Sequence, residues 1–176
     1  MKVFLSLLFL IRILSINAQQ YKPVDEKSEV KFSIKNFGLN TEGSLTGLKG
    51  TIKFDPANVA ASSFNVSVDV NTINTGIDSR DSHIKKEDYF DAAKFSTISF
   101  VSTNITANQN QYTVTGNLTI KGITKPVSFP FTVQTENNDV MFNGNFSINR
   151  KDFGVGGSSA VLSNTVNITL KVFAVK

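Results

Sequence analysis

The chain has 176 residues, a formal net charge of +4 at pH 7, one histidine and no cysteine. The absence of cysteine excludes disulfides, a thiol nucleophile, a Cys₂His₂-type metal site and the N-terminal lipid of a bacterial lipoprotein. Lysine and arginine are scattered rather than gathered in blocks, which argues against a broad nucleic-acid-binding face.

The first 18 residues have the pattern of a secretory signal peptide. Lys2 provides a positive start, residues 3–16 are almost wholly apolar, and Ala18 stands where a signal peptidase would cut. The apolar run is shorter than the roughly 20 residues that a membrane helix needs, and Arg12 interrupts it. We therefore predict cleavage near Ala18 and a periplasmic or secreted single domain over residues 19–176, without a stable membrane anchor.

Alternating apolar and polar residues dominate that domain, and this period of two is typical of half-buried strands. Nearly every predicted strand has one apolar face and one polar, solvent-facing face. This predicts an all-β antiparallel fold, either a sandwich or an up-and-down barrel. In chain order, the apolar positions of about eight strands fall within residues 30–34, 48–54, 64–70, 98–100, 112–120, 127–133, 140–148 and 166–174.

The segment between the third and fourth predicted strands is the most polar part of the chain, and we predict a short helix from Asp78 to Tyr89. Asp78 is expected to cap its start, and residues 81 and 85 have a favourable i,i+4 charge spacing. Residues 79–83 contain the residue types of a Ser-His-Asp triad, but no Gly-x-Ser-x-Gly elbow is present. Carboxylates beside the single His83 form a weak metal-ligand set. We predict a protein that is not an enzyme and holds no metal or cofactor.

Three glycines interrupt the apolar faces of predicted strands, at Gly50, Gly116 and Gly144. Glycine weakens a strand, so each needs a reason: it bends the strand, or it leaves room for something inside. An eight-stranded barrel is near the size at which the interior either fills with side chains or holds one small ligand. Phenylalanine recurs on the same faces, and it either fills the core or grips a hydrocarbon chain.

The order of several motifs resembles the YceI-like family of lipid- and polyisoprenoid-binding proteins. Two stretches are the most specific, namely residues 80–91, with Arg-Asp-x-His-Ile-Lys followed by Asp-Tyr-Phe-Asp, and residues 116–127, with Gly-Asn-Leu-Thr-Ile-x-Gly-Ile-Thr-Lys-Pro-Val. Two positions depart from the family pattern, Asn36 in place of a histidine and Ser96 in place of a proline. The other matching stretches are Phe37–Gly38, residues 43–56, 63–69, 73–76 and 95–102, and Ile148–Gly154.

This resemblance implies an eight-stranded extended lipocalin-like barrel in the bacterial periplasm, in a family of which some members hold an isoprenoid chain in an apolar tunnel. The head group of such a lipid is expected to meet Arg80, His83 and Arg150, and the ligand is expected to be a quinone or a polyprenyl phosphate. The alternative is a non-catalytic interaction protein whose barrel is packed solid; a homodimer is possible in either case. The expected tail contacts are Phe32, Gly50, Phe54, Val66, Val68, Phe100, Gly116, Leu118, Phe129, Phe131, Phe142, Gly144 and Phe146.

Overall fold

The computed structural model describes residues 18–109 and 111–176, so the predicted signal peptide lies outside the described residues except for Ala18. Short 3₁₀ turns lie at Asp25–Lys27, Val59–Ala61 and Arg150–Phe153. The strands and the helix are β1 (Gln19–Pro23), β2 (Glu29–Asn36), β3 (Leu39–Phe54), β4 (Ser63–Asn74), α1 (Asp78–Ile84), β5 (Thr97–Asn108), β6 (Gln111–Ile120), β7 (Ile123–Glu136), β8 (Asp139–Asn149) and β9 (Leu162–Val175).

The strands close into one antiparallel barrel. The order β3-β2-β9-β8-β7-β6-β5-β4 is completed by pairing of β4 with β3, which gives the predicted eight-stranded barrel and settles the choice between sandwich and barrel. The short strand β1 was not predicted. It lies between the C-terminal ends of β3 and β9, in line with β2, which lies between the other parts of the same two strands.

The long strand β3 makes closure possible because it changes partners along its length. Its first half pairs with β2, and its second half pairs with β4 after register shifts between Ser44 and Lys49. At this irregularity the Asp25 carboxylate accepts hydrogen bonds from the backbone N–H groups of Gly47 (2.9 Å) and Leu48 (2.8 Å). A side chain therefore satisfies ladder donors that the shift leaves without a strand partner.

The helix α1 is shorter than predicted, because it ends at Ile84 rather than Tyr89. Asp78 is its first residue and not its cap; the N-cap is Ile77, which offers no side-chain hydrogen bond. After the helix the chain turns back, with Phe90 N–H donating to the Ile84 carbonyl (3.1 Å). No helix within residues 18–109 and 111–176 has the length and apolarity that crossing a membrane requires.

Candidate ligand-binding cavity

The barrel interior contains a row of apolar cavities. One cavity of about 160 Å³ lies at the end of the barrel that bears α1, and we call it the mouth cavity. Its neighbour of about 140 Å³, the middle cavity, shares Val30, Leu45 and Ile98 with it. The deep cavity, about 70 Å³, shares Val66 and Phe100 with the middle one. Shared walls place the three cavities next to one another along the barrel interior.

An aromatic cluster lies beyond the deep cavity. The Phe54 ring meets Tyr112 and Phe142 edge-on, with ring centroids 5.1 and 5.5 Å apart. Tyr112 stacks on Phe131 at 5.3 Å, and Phe64 meets Phe142 edge-on at 5.5 Å. Such rings bury large areas in well-defined contacts, so these side chains pack against one another beyond the deep cavity.

The structure brings most of the expected tail residues to the walls of these cavities. The exceptions are Gly50, Phe54 and Gly116, which lie outside the walls of all three cavities. Those that line a cavity are Phe32 at the mouth; Val66, Val68, Phe100, Leu118, Phe129 and Phe146 around the middle; and Phe131, Phe142 and Gly144 at the deep end.

The three strand glycines have different roles. Gly50 is exposed, has φ of +136°, and lies so close to β4 that a Cβ atom would fall 2.1 Å from the Asn65 carbonyl oxygen. At Gly116 a Cβ atom would lie 2.5 Å from the Phe100 ring, so this glycine makes room for a neighbouring side chain. At Gly144 the nearest atom to an added Cβ would be 3.4 Å away, in Phe129. Only Gly144 of these three leaves its space to a cavity.

Arg150 lines the mouth cavity, but its guanidinium is engaged within the protein. The residue is 4% exposed, and its Nε donates to the Ser163 carbonyl at 2.9 Å. Nη1 donates to the carbonyls of Val155 (2.8 Å) and Gly157 (3.1 Å), and Nη2 to Leu162 (3.4 Å) and to Asn164 Oδ1 (3.3 Å). These bonds use all five donors of the side chain. Arg150 therefore holds the loop before β9 and contributes its charge, not a free hydrogen bond, to the mouth.

Arg80 also lines the mouth cavity and is only half-buried. Its Nε and Nη2 donate to the hydroxyl and the carbonyl of Thr75, both at 2.7 Å. The Thr75 hydroxyl in turn donates to the buried Asp81 carboxylate, which fixes the threonine. Nη1 of Arg80 makes no hydrogen bond to the described residues.

His83, the third residue expected to meet the head group, does not line the mouth cavity. It is exposed on α1, and its ring meets Tyr89 edge-on at 5.0 Å. Tyr89, not His83, lines the mouth. The metal hypothesis gains no geometric support, since no three metal-ligating side chains come together within residues 18–109 and 111–176.

Charge at the mouth is positive. Lys31, Arg80 and Arg150 are the ionisable lysine and arginine residues of its wall, and the residues of the wall include no aspartate or glutamate. The exposed Lys31 ammonium donates to Glu29 at 2.6 Å, and this hydrogen bond raises the pKa of Lys31 and lowers that of Glu29. Lys31 is thus paired with Glu29, and Arg80 is linked through the Thr75 hydroxyl to the Asp81 carboxylate.

Sequence reasoning missed several wall residues at the mouth, namely Ile84, Tyr89, Phe90, Phe153 and Val155. All of them lie outside the strands, where apolar–polar alternation does not predict which side chains face the interior. The available signal was their position in or beside residues 80–91 and 148–154, two of the stretches that match the family pattern.

Comparisons with known proteins agree with this architecture. A UPF0312 protein of Yersinia enterocolitica is 32% identical over 169 residues, covering 90% of this chain and 88% of the relative. The crystal structure of Burkholderia cenocepacia BcnA superposes with a TM-score of 0.80 at 32% identity, covering 84% of this chain and 96% of that one.

A more distant structure has the same fold. It is described as a polyisoprenoid binding domain from Saccharophagus degradans, and it superposes with a TM-score of 0.70 at 17% identity, covering 88% of this chain and 97% of that one. The model of the YceI-like domain matches residues 21–174, which is almost the whole described region. The chain therefore belongs to the YceI-like domain family.

Proposed function

We propose that the protein is a periplasmic carrier of a long-chain isoprenoid-type lipid, with the tail in the row of cavities and the head group at the mouth. The observation that carries this proposal is the apolar row itself, which opens beside cationic groups at one end and meets an aromatic cluster at the other. Burial of each CH₂ group of the tail contributes about 0.8 kcal/mol, so affinity comes mostly from tail length. The barrel acts by binding, without a catalytic step.

The related domain described as polyisoprenoid-binding supports this proposal through its shared fold. The packed-barrel alternative, an interaction protein with no ligand, leaves the internal apolar space without a role. Of the two head groups under consideration, the positive mouth favours a polyprenyl phosphate over an uncharged quinone, because a phosphate gains charge-assisted hydrogen bonds from a free arginine donor.

Native mass spectrometry of protein purified from its own host tests the proposal. We expect a co-purifying lipid, and uptake of added polyprenyl phosphate by the emptied protein. The same measurement reports the mass of the exported chain, which we expect to begin next to Ala18. A protein that carries no lipid and takes up neither polyprenyl phosphate nor quinone would contradict the carrier function.

Replacing Arg80 with glutamine tests the head-group assignment. Loss of one charge-assisted hydrogen bond costs roughly 1.5 kcal/mol, so we expect affinity for a polyprenyl phosphate to fall about tenfold. Quinone affinity should stay unchanged. Lys86→Gln is the matched control, because Lys86 is exposed just after α1 and does not line the cavity. Equal losses with both lipids would mean that Arg80 shapes the mouth rather than binding the phosphate.

A further inference from the structure

The end of the barrel that carries the mouth cavity is also its most apolar outer surface. Phe37 is 75% exposed and Leu39 74%, while Ile77 and Val161 are exposed to lesser degrees. We call these four residues the apolar rim. Each lies close along the chain to a wall residue of the mouth: Phe37 and Leu39 lie between Asn36 and Thr41, Ile77 lies between Thr75 and Arg80, and Val161 precedes Leu162.

The opposite end of the barrel has a different chemistry. Its turns, residues 55–62, 108–111 and 136–139, consist mainly of Asp, Asn, Gln, Glu, Ser and small residues. In their described residues they contain none of the large apolar side chains exposed on the protein. Of the large apolar side chains exposed among the described residues, only Val101 lies away from the mouth end, and such clustering is typical of an interaction surface.

The backbone conformation of Phe37 indicates that this residue has a role other than stabilising the fold. Phe37 and Gly38 form the two-residue turn between β2 and β3, with φ of +51° and +78°. Such turns strongly favour Asn-Gly, and a bulky residue with positive φ is disfavoured. Phe37 N–H donates to the Val161 carbonyl at 2.9 Å, which ties two loops of the rim together. The phenylalanine therefore stands in an unfavourable position with its ring largely in solvent, which folding alone does not explain.

Charge around the rim complements an anionic surface. Residues 81–96, in α1 and the turns after it, carry nearly equal numbers of acidic and basic groups. The turns at the opposite end carry Asp55, Glu136 and Asp139. The other segments at the mouth end carry Lys35, Arg80, Lys121 and Lys151 against Asp78 and Asp152, and the buried Arg150 is not counted because its guanidinium is engaged within the protein.

We propose that the apolar rim docks the barrel, mouth first, onto an anionic phospholipid bilayer. The rim side chains enter the interface, the flanking cations face the lipid head groups, and the mouth opens onto the bilayer. A lipid tail then moves between the bilayer and the mouth cavity without crossing water. This inference rests on the proposed carrier function and adds the surface from which the carrier takes its lipid.

Vesicle sedimentation tests the docking, using protein purified after export with its N-terminus established by mass. We expect partition onto vesicles of phosphatidylglycerol and phosphatidylethanolamine, weaker partition onto phosphatidylcholine, and a decrease with added salt. The double substitution Phe37→Asn and Leu39→Gln should weaken partition about tenfold. Because asparagine suits the turn at position 37, the variant should remain folded. Val101→Gln is the matched control, since Val101 is exposed on the barrel wall away from the rim.

The outcomes separate the two proposals. Lipid uptake from detergent solution without vesicle binding, or vesicle binding that the double substitution leaves intact, would overturn the docking alone. Vesicle binding by the rim without uptake of any isoprenoid lipid would support docking and overturn the carrier. Sedimentation velocity covers the remaining case. A dimer that the double substitution dissociates, with no vesicle binding, would make the rim a contact between two copies and would overturn the docking.

Discussion

Replacing Arg150 with methionine is expected to lower the free energy of unfolding by roughly 3 kcal/mol. The substitution removes donors from the backbone carbonyls of Val155, Gly157, Leu162 and Ser163, which the guanidinium joins at 2.8 to 3.4 Å. A buried carbonyl that loses its hydrogen-bond donor is no longer compensated for the free energy of its desolvation. For a domain of this size the melting temperature should fall by about 10 °C, as differential scanning calorimetry or circular dichroism would record.

Lys151→Met is the matched control, because it removes the same charge from the next residue of the chain. Its ammonium makes one hydrogen bond, to Ser158 at 3.0 Å, and we expect a change within about 0.5 kcal/mol. A variant at Arg150 that is as stable as the wild type but fails to bind lipid would restore the head-group role expected from the sequence and contradict the structural one.

Replacing Gly144 with valine is expected to shorten the lipid tail that the protein accepts while leaving the fold intact. An added Cβ meets the Phe129 ring at 3.4 Å and the Pro130 carbonyl at 3.5 Å, and these are distances to which the neighbours can adjust. The two methyl groups then occupy the deep cavity of about 70 Å³. Each CH₂ group expelled from the tunnel costs about 0.8 kcal/mol, so exclusion of two lowers affinity roughly tenfold.

A series of polyprenyl phosphates of increasing length, measured by native mass spectrometry, tests this prediction. Long chains should lose affinity, whereas chains short enough to end in the middle cavity should bind as they do to the wild type. Asn145→Val is the control, because it introduces the same side chain at the next, solvent-facing position of β8. An equal loss at every chain length would show that the tail does not reach Gly144.

Sequence reasoning recovered the strands well because strand alternation is a local property. Once a segment such as residues 140–148 is extended, successive side chains must point to opposite faces, and the apolar ones must point inward. The buried Val140 and Phe142 of β8 and the buried Val114 and Leu118 of β6 follow that rule. The eight-stranded barrel was predicted from the family resemblance, since alternation alone is compatible with both a sandwich and a barrel.

The predicted site was less complete because its residues are defined by partners far along the chain. Arg150 was a reasonable head-group candidate from the sequence. In the structure, residues 155–164 cover it and accept the hydrogen bonds of its guanidinium. His83 was counted with Arg80 because both lie in one polar stretch, but α1 turns the histidine towards Tyr89 and solvent.

By itself, then, the sequence determined the strand faces, the apolar interior and the family, because each depends on local periodicity or on motifs. Only the tertiary structure decided which of the strand glycines lies at a cavity. Gly50 lies against the β4 backbone and Gly116 beneath the Phe100 ring, while Gly144 opens into a cavity. The strand registers place these neighbours. A register joins residues distant in sequence, and periodicity within one strand determines which face a residue occupies but not which residue of the neighbouring strand lies opposite it.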